Sequence, residues 1–108
     1  MTTFAVYELY PDGREEEVGT ISVDQNDSIA MKTLLRKYNL DDSYYNLDSI
    51  YRYAIILSMF EQIYGFTKGM NGYILEWSDH KKTSAVINWR IDTWRIRKID
   101  DDELLQSE

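Results

Sequence analysis

The sequence predicts an α+β fold, a single domain in which a β-hairpin is followed by two helices and a C-terminal antiparallel hairpin or meander. Three observations carry that expectation. Residues 4–10 and 15–23 are rich in β-branched and aromatic side chains and flank Pro11-Asp12-Gly13. Apolar residues then recur at helical spacing over two stretches, and two strand-like runs, 73–77 and 83–91, follow a glycine-rich segment. Strands, then helices, then strands again place the helices on a largely antiparallel sheet.

The first hairpin follows from its turn. Proline presets the first turn position, aspartate suits the second, and glycine accepts the left-handed conformation that closes a hairpin with a bulge. In the second strand Ile21 and Val23 share one face. Asp24 to Ser28 then supplies several N-cap residues, and Met31, Leu34, Leu35 and Tyr38 define a helix over about 29–38 that Asn39 stops. After the polar connection 41–46, Ile50, Tyr53, Ala54, Leu57, Phe60 and Tyr64 predict a second helix over about 47–64, ending at Gly65. Ile55, Ile56, Met59 and Ile63 make this helix apolar nearly all round, so it needs cover on more than one side, and another subunit is one candidate for that cover. A strand over 50–57 competes with the helix, because periodicity is ambiguous in a dense apolar run.

The segment 65–72 holds three of the five glycines and is expected to be a loop. In the run that follows, Ile87, Trp89 and Ile91 share one parity, whereas Trp94 and Ile96 share the other. The switch requires a bulge or tight turn, placed at Asp92-Thr93. The domain is assigned to residues 1–99, with 100–108 as an acidic, solvated tail. The hairpin and capped helix over residues 4–38 resemble the start of a β-grasp, ubiquitin-like domain. The chain ends Leu-Leu-Gln-Ser-Glu and has no cysteine, so the resemblance implies neither modifier conjugation nor electron transfer.

Charge is unevenly distributed along the chain. Residues 1–49 carry 4 basic and 10 acidic side chains, residues 50–99 carry 8 and 4, and residues 100–108 carry 5 acidic ones, for a net charge of -7. Such fields govern partners and solubility rather than fold. Without cysteine, disulfides, thiolate nucleophiles and Cys-based metal sites are excluded, and the single His80 cannot form a His-rich metal site. No positively charged and apolar leader is visible, and no apolar stretch approaches the roughly 20 residues that cross a bilayer. The expectation is a soluble cytoplasmic protein with no cofactor, no metal and no membrane.

No segment carries catalytic spacing. Lys68-Gly69-Met70 departs from a phosphate-binding loop, which needs Gly-Lys followed by Ser or Thr. Ser78, Asp79 and His80 are consecutive on a turn and cannot converge as a triad; turn chemistry accounts for them. Glu15, Glu16 and Glu17 suit a solvated edge that deters strand pairing. Residues 89–98 interleave arginine with tryptophan, the combination used by single-stranded nucleic-acid grooves and by protein hot spots. The competing expectation is that the tryptophans are core and the arginines pair with Glu15, Glu16, Glu17 or the tail.

The function expected is therefore a non-enzymatic protein-interaction module, a small intracellular adaptor or inhibitor of the kind bacteria and phages encode. Its partner is another protein, in one version a basic nucleic-acid-handling protein whose groove the acidic surface occupies. The alternatives are direct nucleic-acid binding through residues 89–98 and a structural role in an oligomeric, phage-like assembly. Candidate interface residues are Tyr44, Tyr45, Phe66, Met70, Trp94 and Arg95, all in a connection, a loop or a parity break.

Overall fold

The hairpin turn forms as its residues dictate. Gly13 adopts φ 91° and donates its N–H to the Tyr10 carbonyl at 2.9 Å, while the Asp12 carboxylate accepts from the Arg14 N–H at 3.0 Å. The strands so joined are β1 (Thr2–Leu9) and β2 (Glu15–Val23). Asp27 caps α1 (Ser28–Lys37) by accepting the Ala30 N–H at 3.0 Å, and Asn39, at φ 64°, carries the chain out of it. A single 3-10 turn (Asp42–Tyr44) precedes Asn46, which caps α2 (Leu47–Met59) through the Ser49 N–H. A π turn (Phe60–Tyr64) extends α2, and β3 (Ile74–Trp77), β4 (Ser84–Trp89) and β5 (Asp92–Lys98) complete the fold. The computed structural model describes residues 1–65 and 72–99, and for Tyr44 the backbone alone. The segment 66–71 of the glycine-rich loop and the tail 100–108 lie outside the described residues.

The five strands form one antiparallel sheet in the order β2-β1-β5-β4-β3, with the two helices on one face. The α+β architecture is the one the sequence predicts. On the covered face, Val6 opposes Ile96, Ile96 opposes Ala85 and Ala85 opposes Trp77; in the neighbouring row, Glu8 opposes Trp94, Trp94 opposes Ile87 and Ile87 opposes Leu75. All but Glu8 and Trp77 are buried. Asp79 accepts the Thr83 and Ser84 N–H groups in the β3–β4 turn, the turn chemistry expected of Ser78-Asp79-His80. β2 is an edge strand with Glu15, Glu16 and Glu17 exposed, which suits their role against stray pairing.

The second helix spans the expected 47–64 and stops at Gly65, and one expectation is corrected, the place of the parity switch. The second helix is α-helical only to Met59, because the backbone widens into the π turn before Gly65 stops it at φ 75° with its N–H on the Phe60 carbonyl. Residues 50–57 are helix and not strand. The parity switch is a two-residue turn at Arg90-Ile91, two residues earlier than Asp92-Thr93: Arg90 takes φ 56° and Asp92 already pairs with Trp89. The cover of the apolar α2 is intramolecular, since α1 and the sheet bury Ile50, Tyr51, Ala54, Ile55, Ile56, Leu57 and Met59. Its composition therefore gives no motive for self-assembly. Among the described residues no helix is long and apolar enough to cross a membrane.

The π turn is locked onto the sheet at one glycine. β1 and β2 shift register between Val6 and Tyr7, opposite Gly19, whose φ is 154°. A Cβ there would sit 3.2 Å from Ile63 Cγ1. Gly19→Ala is expected to destabilise the fold by roughly 1–3 kcal/mol, through backbone strain and the displaced Ile63. Urea unfolding of the variant against the parent chain measures this.

Candidate functional site

Period-two alternation on β1 points Phe4, Val6 and Glu8 at the covered face. The first two are buried core residues; the third is a carboxylate at the end of the sheet, where the π turn crosses. Cross-strand pairing sets Glu8 against Trp94 on one side and against Glu16 on the other. Trp94 donates its indole N–H to the Tyr64 hydroxyl at 3.0 Å, and Tyr64 donates to Glu8 Oε1 in a short contact. The Tyr10 hydroxyl lies 2.9 Å from Glu8 Oε2 and 2.8 Å from Glu16 Oε2. One phenolic proton thus serves two carboxylates that oppose each other directly, an arrangement that is repulsive in a sheet.

Around this row the rings gather. Phe60 meets Tyr73 edge to face at 5.0 Å and Trp94 at 6.0 Å, and Tyr73 stacks on Trp89 at 4.9 Å. The rings of Phe60, Tyr64, Tyr73, Trp89 and Trp94, with Glu8 and Asp92, line a cleft of about 120 Å³. An adjoining cleft of about 200 Å³ shares Glu8, Asp92 and Trp94 and continues along Leu9, Tyr10, Pro11 and Ile91. Ion pairs among the described residues engage Asp12, Glu15, Asp42, Asp48 and Glu61, and none includes Glu8, Glu16 or Asp92. The end of the sheet is therefore aromatic and negative. Among the described residues no three acidic or histidine side chains gather closely enough to hold a metal ion. The lining holds no cysteine, histidine, serine or lysine.

A further cleft of about 210 Å³ lies beside α2, with Ser49, Arg52, Tyr53 and Tyr73 in its wall. Arg52 in its wall holds Asp48 at 2.7 Å, and Asp48 also takes Lys82 at 2.6 Å.

The candidate interface residues from the sequence scatter. Trp94 is core, 6% exposed, and is corrected from contact residue to structural ring: β5 alternation turns it beneath the π turn. Arg95 points to the other face and pairs with Glu15, as the competing expectation held. Trp94 and Arg95 thus sit on opposite faces of the sheet, so the arginine–tryptophan interleaving of 89–98 does not present one surface. Tyr45 packs edge to face on Tyr53 at 4.8 Å, half-buried. Tyr44 lies in the 3-10 turn, its side chain outside the described residues, as are Phe66 and Met70 entirely. Sequence reasoning missed Glu8, Tyr64, Tyr73 and Asp92. Glu8 carried a signal, since it is the one charged residue on the inward parity of FAVYELY.

No protein family, no curated protein and no solved structure matches the chain.

The hydroxyls of Tyr64 and Tyr73 differ in their hydrogen bonds. Burial, then the hydrogen bond to Glu8, pushes the Tyr64 phenol from 10.0 up to about 12. The folded chain holds that proton more tightly, so the associated stability is complete below about pH 10 and is lost as pH rises through 12. Tyr64→Phe is expected to flatten this alkaline loss in a pH series of unfolding curves and to cost about 1 kcal/mol at neutral pH, because the Trp94 N–H loses its acceptor. The Tyr73 hydroxyl is buried without a hydrogen-bond partner. Tyr73→Phe is expected to leave stability unchanged or raise it by up to about 1 kcal/mol, measured by the same unfolding curves.

Proposed function

We propose that the chain is a non-enzymatic protein-interaction module, a small adaptor or inhibitor that engages a basic partner protein through the acidic, aromatic end of its sheet. The observation that carries this reading is the grouping of Glu8, Glu16 and Asp92, each without an ion-pair partner among the described residues, around ring-lined clefts. Ile91, 94% exposed at the tip of the β4–β5 turn, adds an apolar contact beside them. Aromatic side chains with a charged rim are the composition of interface hot spots. The net charge of -7 supports the same reading, because a field of one sign steers association with a target of the other. A basic nucleic-acid-handling protein is one partner of this chemistry. The opposite faces taken by Trp94 and Arg95 supply no support for direct nucleic-acid binding.

Affinity capture with the immobilised chain, at low and at high salt, tests the reading. A partner with a basic surface is expected at low salt and lost at high salt, and Glu16→Gln with Asp92→Asn is expected to weaken its capture about tenfold. Partners that are acidic, insensitive to salt, or held equally by the double variant would remove this function.

A further inference from the structure

We infer that the cleft between α2 and β3 binds a small organic acid, with its carboxylate on Arg52 and an apolar body against Tyr53, Ile56 and Leu75. The inference does not rest on the interaction-module reading. Ser49, Arg52, Tyr53 and Ile56 follow one another at helical spacing and so share one face of α2. That face, with Ile74 and Leu75 of β3, lines a cleft of about 210 Å³ made mainly of ring and aliphatic surface around one cation. An apolar wall with a single placed charge is the ordinary composition of a small-molecule site.

Charge balance gives the cleft its sign. Asp48 is held by both Arg52 and Lys82, so one carboxylate meets two cations. Among the described residues no other ion pair includes Arg52 or Lys82, and no carboxylate lines the cleft. One positive charge is therefore left over, and Arg52 presents it, because its side chain is 42% exposed and stands in the cleft wall. The remaining contacts of its guanidinium are poor: Nη1 lies 3.4 Å from the Leu75 carbonyl, and the buried Nε has no acceptor. A carboxylate arriving there supplies the missing charge and accepts from the guanidinium and from the Ser49 hydroxyl. Lys82 acts on the cleft through Asp48 without lining it. It takes φ 59°, a left-handed conformation that glycine adopts at lower cost, and its ammonium there occupies Asp48 Oδ1 and leaves Arg52 only a share of the carboxylate.

The geometry favours a small acid over a polypeptide. β3 is an edge of the sheet, and a peptide would lie along it by pairing with its outward backbone groups. Ser78 donates its N–H to the Ser84 carbonyl at 2.8 Å, so by the alternation of an antiparallel ladder Leu75 turns its N–H and carbonyl to that edge. Leu75 is 3% exposed and its carbonyl faces the Arg52 guanidinium, so the edge is covered where a strand would have to pair. The volume of about 210 Å³ also lies below the roughly 300–1,000 Å³ of sites for drug-sized ligands, and suits a body about the size of one ring.

The test is a titration of the isotope-labelled chain with sodium benzoate, followed through the backbone amide signals and the Arg52 Nε–H signal. The signals of Ser49, Arg52, Ile74 and Leu75 are expected to shift, and those of Asp12 and Gly13 in the hairpin turn to stay. Benzamide, the neutral isostere, is expected to give no shift. Arg52→Gln is expected to weaken binding about tenfold, and Ile74→Glu, at a rim position 56% exposed, about fivefold through repulsion. Lys82→Gly changes no residue of the lining and returns Asp48 to Arg52 alone; it is expected to weaken binding about threefold while the amide spectrum stays that of the folded chain. Absence of the shifts, an equal response to benzamide, or full binding by Arg52→Gln and Ile74→Glu overturns the site. Unchanged binding by Lys82→Gly overturns the charge balance, and tighter binding of acetyl-Gly-Glu-Gly-amide than of benzoate overturns the small-acid assignment. Glu16→Gln with Asp92→Asn is expected to bind benzoate as the parent chain does, so loss of partner capture and loss of benzoate binding are read separately.

Discussion

The pairing of β1 with β5 is the constraint on which the remainder depends. Without it the chain holds two separate units, the β1–β2 hairpin and the β3–β4–β5 meander, each with one apolar face, and the two-stranded hairpin has too few strands to persist alone. Val6 against Ile96 joins them into one five-stranded surface wide enough for α2, and both side chains are fully buried. The contact links residues some ninety positions apart, so its loop-closure entropy must be offset by burial of the whole covered face. The same register places Glu8 against Trp94 and thereby assembles the acidic, aromatic end of the sheet. Fold and site therefore rest on one set of hydrogen-bonded pairs.

Local chemistry made much of this fold legible. Pro11-Asp12-Gly13, the Asp24–Ser28 caps and Asn39 each act within a few residues of themselves, so their consequences appear in any window of sequence. What was not legible is non-local or depends on competing backbone energies. The strand order is set by which apolar faces can share one cover. The change from α to π winding at Phe60 leaves the apolar period intact while redirecting Tyr64 toward Glu8. The turn at Arg90-Ile91 escaped because neither residue is a typical turn former. Arg90 tolerates φ 56°, with its guanidinium lying over Trp89, an interaction that pattern alone does not contain.

The candidate site was legible only in part, for a related reason. Large aromatic residues in connections and parity breaks looked like contact residues, yet Trp94 is where β5 alternation and the π turn jointly exclude water. The charge blocks indicated an acidic surface without saying which carboxylates keep their charge uncompensated. Arg95 and Lys37 cancel Glu15 and Glu61, and Asp48 binds both Arg52 and Lys82, pairings set across strands and helices. What is left over at the sheet end is visible only after these pairs are removed. Glu8 on an inward parity was the one local sign.

That residue has a physical meaning beyond its charge. A fold optimised for stability alone would place an apolar side chain at position 8, continuing Phe4 and Val6, and would not oppose Glu8 with Glu16. It would also replace the unpartnered Tyr73 hydroxyl with hydrogen. Tyr10 and Tyr64 hold the Glu8 carboxylate in place without neutralising it, so the phenols fix its position while its charge stays available to whatever approaches the rim. Positioned, uncompensated charge beside ring faces is a poor device for folding and a good one for recognition, because a cation arriving there gains Coulombic and quadrupolar attraction at no reorganisation of the acceptors. The opposed carboxylates stand at one end of the sheet, and the rows from Val6 to Trp77 and from Ile87 to Leu75 are regularly paired. A buried core thus carries a locally unfavourable edge, the arrangement on which the proposed interaction role rests.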